Sequence, residues 1–239
     1  ISEDSFVYLD KNYIPYINIE LFTKTFLKSD ENILFLLGQP GTGKTKFVSM
    51  MLKEMLYLST YKIFTIKDEE VLANTAFWKM LKDDDIDLVF LDDMDYLLSP
   101  REEEDKNSKY GELKSKFISQ ILSFSDGAFK NKTKFVVTTN KELKDVDSAL
   151  LRPGRMFDCL EFRKLKIEEA KIIWENNELS IDLFENYVTE DINPAKLSSI
   201  IKELKYKDNN GNSNYRSYLS DTSVSVINTL NQDNKKIGF

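Results

Sequence analysis

The sequence predicts an α/β fold in which a parallel β-sheet is covered by helices on both faces. Five short apolar runs alternate with longer segments in which apolar residues recur at helical spacing, and this alternation is typical of parallel strands joined by helical crossovers. The first run leads through a glycine-rich loop directly into a helix. Beyond Lys164 only helical patterns continue, which predicts a smaller helical unit after the sheet.

Length and composition limit the classes of function that the chain can have. Its 239 residues suffice for one α/β domain of ordinary size and a smaller second one. The chain has no histidine, which excludes histidine-based catalytic triads and the common zinc sites. Its single cysteine, Cys159, excludes an internal disulfide. The longest apolar runs are far shorter than a membrane span and no signal peptide is visible, so we expect a cytoplasmic protein without a membrane partner.

One helix is predicted before the first strand. Residues 6–17 form a lead-in with some strand character that Pro15 interrupts, and Asn18 is expected to cap a helix that continues through Leu27. The chain begins at Ile1 rather than at a methionine, so an excised or processed fragment that lacks a further N-terminal domain is compatible with the sequence.

The first apolar run, residues 33–37, ends at a phosphate-binding motif. Residues 38–45 fit the pattern G-x-x-x-x-G-K-[ST], and a helix to about Ser59 follows. Glycines let the backbone curl so that successive N–H groups can cradle phosphate oxygens, while Lys44 is expected to reach the β- and γ-phosphates and the Thr45 hydroxyl to bind Mg²⁺. The residues assigned to the nucleotide are Gln39, Pro40, Gly41, Thr42, Gly43, Lys44 and Thr45.

The rest of the sheet and the helical unit are predicted from the same periodicities. Strands are predicted at residues 61–67, 87–93, 134–140 and 158–162. Helices are predicted at residues 69–82, 111–125, 167–176, 181–188 and 194–205. A polar, exposed loop is expected from Ser99 to about Tyr110, and a linker at residues 209–214. The change in pattern places an α/β nucleotide-binding domain at residues 1–163 and a small helical lid domain at residues 164–239.

Polar side chains follow two of the predicted strands. Asp92 and Asp93 end the strand at residues 87–93, where a carboxylate can hold the Mg²⁺ that Thr45 binds; we assign this role to Asp92. Asp93 is placed to orient or deprotonate the attacking water. Asn140 ends the next strand and would face the ligand crevice of an open α/β sheet, where its amide can bind the γ-phosphate or the water. Taken alone, an asparagine after a strand is more often a turn residue.

Five segments carry a resemblance to a known family. In chain order they are Gly38-Gln-Pro-Gly-Thr-Gly-Lys-Thr45, Phe90-Leu-Asp-Asp93, Ile121-Leu-Ser-Phe-Ser-Asp-Gly127, Thr138-Thr-Asn140 and Ala149-Leu-Leu-Arg-Pro-Gly-Arg155. Together they resemble the AAA clade of the AAA+ ATPases, which includes AAA proteases, proteasomal ATPases and AAA unfoldases. The resemblance covers roughly residues 30–200. It implies a five-stranded αβα P-loop NTPase core with a helical lid. It also implies assembly into a homo-oligomeric ring, usually a hexamer, that uses ATP with Mg²⁺ to remodel or thread a macromolecule. The expected macromolecular substrate is a protein.

The resemblance also implies roles for two residues. Asn140 matches the sensor that reports on the γ-phosphate, and Arg155 matches an arginine finger that is donated to the ATP of the adjacent subunit. A planar guanidinium that is always charged suits the charge that develops on a γ-phosphate. By itself, Arg155 would be interpreted as a surface arginine in a Pro-Gly turn.

The chain departs from the family pattern in its catalytic residues. Asp93 stands where the family usually has a glutamate, one methylene longer, so hydrolysis is either slow or supported by an adjusted geometry. The family's second arginine finger is missing, and Cys159 lies near its place.

Further departures concern the pore loop and the lid. The pore loop expected between residues 68 and 83 is short, and its only aromatic candidates, Phe77 and Trp78, fit a helix core at least as well. In the lid, Pro194 and Ala195 replace the usual Gly-Ala. Lys196 falls where other AAA+ branches place a sensor arginine, although a solvated helix lysine is the alternative.

Three functions stay open from the sequence. The first is an ATP-hydrolysing remodelling enzyme. The second is a nucleotide-gated assembly module with little turnover, which the aspartate at position 93 and the weak pore loop favour. The third is an AAA+ motor that acts on DNA, and the net charge of −7 counts against it, so nucleic acid is not an expected partner.

Overall fold

The computed structural model describes residues 18–58, 60–100, 109–125 and 132–210. In this part of the chain all five predicted strands are present and form one parallel sheet in the order β2-β3-β4-β1-β5. The strands are β1 (Ile33–Gly38), β2 (Ile63–Ile66), β3 (Leu88–Leu91), β4 (Lys134–Thr139) and β5 (Met156–Phe162). Helices connect them and cover the sheet, so the predicted α/β fold class is confirmed.

The helices have the following bounds in the described residues. They are α1 (Ile19–Lys28), α2 (Lys44–Leu58), α3 (Glu69–Ala73), α4 (Thr75–Asp83), α5 (Lys109–Ser125), α6 (Ile167–Asn176), α7 (Phe184–Tyr187) and α8 (Pro194–Asn210), with single 3-10 turns at Leu143–Asp145 and Ile181–Leu183. None of them is long and apolar enough to cross a membrane. The predictions for residues 6–17, for residues 101–108 of the loop from Ser99 to about Tyr110, and for the chain after residue 210 lie outside the described residues. The linker predicted to begin at residue 209 is wrong at its start, because α8 continues through Asn210.

The helix predicted at residues 69–82 is interrupted at Asn74. The backbone N–H of Asn74 donates to the Val71 carbonyl oxygen at the end of α3, and its side-chain oxygen accepts from the N–H of Ala76 at the start of α4. Asparagine competes with the helical backbone for hydrogen bonds in this way, which explains why one apolar pattern yields two helices.

Both faces of β1 are buried. Leu36 faces a core that it shares with Met51 of α2 and Trp174 of α6, whereas Phe35 faces the opposite core with Trp78 of α4. The helical segment after β5 packs into the first of these cores. Within this segment, a pair of backbone hydrogen bonds joins residues 165 and 192. The division of the chain into domains at residues 1–163 and 164–239 stays a prediction.

Phe77 and Trp78 lie in the core that Phe35 of β1 faces. Trp78 is 2% exposed, and its indole N–H donates to the Leu72 carbonyl oxygen at 2.8 Å. Its ring contacts the rings of Phe117 and Phe135. The interpretation of these two residues as helix core is therefore confirmed, and they are not available as channel-facing aromatic residues.

Trp78→Ala is expected to destabilise the protein by about 3–5 kcal/mol, because it leaves a cavity in a closely packed aromatic cluster. Urea denaturation monitored by circular dichroism measures this loss. Tyr57→Ala is the matched control, since Tyr57 is 72% exposed and its removal should change the free energy of unfolding by less than about 0.5 kcal/mol. Equal stability of the two variants would contradict the core assignment.

Candidate functional site

A glycine-rich loop joins the end of β1 to the start of α2. Gly38 has a φ of 140° and Gly41 a φ of 77°, both in the left-handed region that glycine adopts readily. A Cβ atom at Gly38 would lie 2.0 Å from the Phe162 carbonyl oxygen, so a larger residue would displace β5. The hydroxyl of Thr42 donates to the Gln39 carbonyl oxygen at 2.7 Å and closes the turn. The loop thus brings its backbone close to the N-terminal end of α2, where anions bind favourably.

Lys44 is the first residue of α2 and is 6% exposed. Its ammonium group donates to the carbonyl oxygens of Gly38 and Gln39 and, at 2.8 Å, to Oδ1 of Asn140. Burial lowers the pKa of Lys44, and the negative charge of Asp93 opposes that shift. Lys44 is therefore a partly desolvated cation held by neutral oxygen atoms, which phosphate oxygens could replace.

Asp92 lies next to the Thr45 hydroxyl at the end of β3. Its Oδ1 atom is 3.5 Å from Oγ1 of Thr45 and accepts a hydrogen bond from the Thr138 hydroxyl at 2.8 Å. Its Oδ2 atom forms an ion pair with Lys67 at 3.2 Å, a contact that the sequence did not predict. Adjacent hydroxyl and carboxylate oxygens fit Mg²⁺, which binds through one or two carboxylates and completes its shell with water and substrate phosphates.

Asp93 follows Asp92 in a left-handed backbone conformation, with a φ of 59°. Aspartate tolerates this region better than most residues, and such conformations are frequent at functional sites. The N–H of Asp93 donates to the Thr138 hydroxyl at 2.9 Å, which fixes the turn against β4. The residue is exposed and borders the same cleft as Lys44. Its carboxylate can therefore meet a water molecule in that cleft.

Asn140 follows β4 and is held by Asp95, a residue that no sequence motif singled out. The Asp95 carboxylate accepts hydrogen bonds from the backbone N–H of Asn140 at 2.7 Å and from its side-chain N–H at 2.9 Å. It also accepts from the Thr139 hydroxyl at 2.6 Å. Asn140 therefore bridges Asp95 and Lys44. The only sequence signal for Asp95 was its position two residues after Asp93.

A cleft of about 340 Å³ lies between the glycine-rich loop and α8. Three lysines border it, Lys44, Lys46 and Lys202, against the single carboxylate of Asp93. Burial lowers the pKa of Lys46, and the positive charge of Lys202 lowers it further. This excess of positive charge among the bordering residues favours an anionic ligand, while the nearby carboxylates of Asp92 and Asp95 partly balance the charge of Lys44. Lys196 is exposed and does not border the cleft, so the solvated alternative describes it correctly.

The start of α8 is bonded to the glycine-rich loop. The side-chain N–H of Asn193 donates to the Pro40 carbonyl oxygen at 2.8 Å, and the N–H of Ala195 donates to the Gly41 carbonyl oxygen at 3.2 Å. Pro194 takes the first helical position, where its missing N–H costs no hydrogen bond. The helical segment thus forms one wall of the cleft.

Arg155 is the one predicted site residue that lies away from the others. Its guanidinium donates to the Ala149 carbonyl oxygen, and its own carbonyl oxygen accepts from the N–H groups of Asn32 and Ile33. It therefore lies beside the start of β1, whereas the glycine-rich loop begins at Gly38. Because five residues of strand span roughly 16 Å, the Arg155 backbone lies at the opposite end of β1 from the glycine-rich loop that leads to Lys44.

The sequence matches one family over most of the α/β unit. Residues 34–164 match the family described as "ATPase family associated with various cellular activities (AAA)". This match covers more than half of the chain. It contains the whole of the glycine-rich loop, the two aspartates after β3, Asn140 and Arg155.

Curated proteins with related sequences include two ATPases and a protein called CdcH. The chain is 25% identical to Protein CdcH of Halobacterium salinarum over 194 residues, which are 77% of this chain and 24% of that protein. It is 28% identical to an AAA-ATPase of Arabidopsis thaliana over 206 residues, 80% of this chain and 42% of that protein. It is 25% identical to an "AAA ATPase forming ring-shaped complexes" of Bifidobacterium dentium over 199 residues, 77% of this chain and 35% of that protein. The chain thus spans less than half the length of these relatives.

Proposed function

The chain belongs to the ATPase family associated with various cellular activities, and from this we propose that it binds ATP with Mg²⁺ in the cleft beside Lys44 and hydrolyses it. The observation that carries the proposal is the convergence of a cation, two carboxylates and an amide at one edge of the sheet. These groups come from three separate segments of the chain. Parallel strands bring them together because their carboxyl ends share one edge.

Each group would have a distinct task in hydrolysis. The loop N–H groups and Lys44 would bind the phosphates, and Thr45 and Asp92 would hold Mg²⁺, which neutralises phosphate charge when bound. Asp93 would orient the attacking water and accept its proton. Asn140 would contact the γ-phosphate through its amide.

We further propose that the protein acts in a homo-oligomeric ring that remodels a macromolecule, and that this macromolecule is a protein. The family resemblance makes Arg155 an arginine finger, and a finger that lies at the opposite end of β1 from the glycine-rich loop would need the nucleotide of a neighbouring copy. The name of the Bifidobacterium relative, which describes ring-shaped complexes, also supports a ring. The burial of Phe77 and Trp78 removes the only aromatic side chains that favoured threading, so the nature of the substrate rests on the family resemblance alone.

Asp93→Asn is expected to bind MgATP with normal affinity and to hydrolyse it at least about 100-fold more slowly, since it removes the proton acceptor and leaves Asp92 in place. Steady-state phosphate release measures the rate, and calorimetry measures the affinity. Asp182→Asn is the control, because it removes one exposed carboxylate outside the cleft. A parental rate in Asp93→Asn would exclude Asp93 as the catalytic carboxylate. Tight binding with negligible turnover of the parent protein would instead favour the nucleotide-gated assembly module.

A further inference from the structure

A chain of three side chains runs from the turn after β3 to the ammonium group of Lys44. Oδ2 of Asp95 accepts from Nδ2 of Asn140 at 2.9 Å, and Oδ1 of Asn140 accepts from Nζ of Lys44 at 2.8 Å. Asn140 therefore lies between a group that can only accept hydrogen bonds and a group that can only donate them. Each neighbour requires the same orientation of the amide, and reversal would place N–H against ammonium and C=O against carboxylate.

The Asp95 carboxylate is itself held firmly. Its Oδ1 atom accepts from the Thr139 hydroxyl and from the backbone N–H of Asn140, both at the end of β4. Burial opposes ionisation of this carboxyl, but the hydrogen bonds from Thr139 and Asn140 outweigh it and hold the pKa of Asp95 below its usual value. Asp95 is thus a fixed anionic acceptor at neutral pH.

An asparagine side chain carries two N–H donors on one nitrogen. Asp95 accepts from one of them, and Asn140 borders the cleft in which the phosphates are expected to bind. The planar amide fixes the direction of the second N–H as soon as the first is bonded. That second donor is the one available to a ligand.

We propose that Asp95 is a positioning residue that holds one N–H of Asn140 and thereby directs the other N–H at the γ-phosphate of bound ATP. The inference rests on the proposed function, because it assumes that ATP occupies the cleft. It assigns the distinction between ATP and ADP to a pair of residues rather than to Asn140 alone.

Asp95→Asn tests the pair of Asp95 and Asn140, because the substitution keeps the size and shape of the side chain at residue 95. The remaining oxygen of the new side chain can still accept from Thr139 and from the Asn140 backbone, but its amide nitrogen would face Nδ2 of Asn140, donor against donor. The preference for ATP over ADP should fall by about tenfold, which corresponds to one hydrogen bond to a charged group, while ADP affinity stays unchanged. Calorimetric titration with each nucleotide in Mg²⁺ measures both affinities. Asp182→Asn should keep the parental preference.

A double-mutant cycle separates action through Asn140 from a general effect. In the Asn140→Ala background, Asp95→Asn should cause no further loss of the ATP preference. An equal loss in both backgrounds would overturn the proposal, and so would an unchanged preference in the single variant. If the parent protein binds neither nucleotide, it is the proposed function that fails, and this result differs from either outcome of the cycle.

An exchange of the two side chains tests whether residues 95 and 140 support each other through this hydrogen bond, also where Asp95→Asn alone folds poorly. In the double variant Asp95→Asn, Asn140→Asp, residue 95 can donate to a carboxylate at residue 140, which restores the bond between the two side chains but supplies no N–H for phosphate. The melting temperature should return towards the parental value while the ATP preference stays low. Recovery of the ATP preference would overturn the proposal, because residue 140 then has no N–H to direct at the phosphate. A melting temperature no higher than that of Asp95→Asn would contradict the bond between the two side chains.

Discussion

Lys44→Ala is expected to weaken MgATP binding by roughly 30-fold to several thousand-fold. The range corresponds to about 2–5 kcal/mol, which is the cost of removing one partner of a desolvated, hydrogen-bonded charge pair. Lys44 is 6% exposed beside the glycine-rich loop, and no water could reproduce the charge of its ammonium group against the β- and γ-phosphates. Calorimetric titration of the purified variant with MgATP measures the loss.

The same substitution removes the donor to Gly38, Gln39 and Asn140, so folding must be measured as well. Thermal melting without nucleotide reports this part of the effect. Lys171→Ala, on the exposed face of α6, is the charge-matched control and should leave both melting and affinity unchanged. Parental affinity in a folded Lys44→Ala protein would disprove the assignment of the loop to phosphate binding.

The sheet and the loop could be predicted because local sequence determines them. Residues 33–37 are apolar without interruption, which is required of a strand buried on both faces, and the glycines that follow are needed for backbone angles that other residues avoid. The convergence of Asp92 and Asn140 followed from a geometric rule, since both end parallel strands. The order of those strands in the sheet did not need to be known.

Other parts of the site depend on tertiary contacts that leave no local signal. Asp95 and Lys67 are ordinary charged residues in the sequence, and only the packing of β3 between β2 and β4 brings them to Asn140 and Asp92. Lys202 lies on a helix in a later segment of the chain, where a lysine is usually solvated. Its place in the cleft follows from the contact of α8 with the glycine-rich loop, which the sequence could not predict.

Arg155→Ala is expected to bind MgATP almost normally and to hydrolyse it about 10³–10⁵-fold more slowly if the protein acts as a ring. An arginine finger stabilises charge that develops in the transition state, so its loss lowers the rate rather than the affinity. The Arg155 backbone lies beside the start of β1, roughly 16 Å along the strand from the glycine-rich loop, so we expect the side chain to act on the nucleotide of a neighbouring copy rather than on its own. Steady-state phosphate release at several protein concentrations should show activity per protomer that rises as the protein assembles.

A mixture of two inactive variants tests action between copies directly. In a mixture of Arg155→Ala and Asp93→Asn, some interfaces pair an intact Asp93 with a neighbour's intact Arg155, so activity should appear that neither variant has alone. If Arg155 instead acted within its own chain, both residues of each site would come from one copy. No mixture of the two variants could then restore hydrolysis. Arg152→Ala is the control, because Arg152 is exposed in the same Pro-Gly turn and its loss should affect the rate far less. Activity that is independent of protein concentration, together with an unchanged rate in Arg155→Ala, would mean that each chain hydrolyses ATP without a partner.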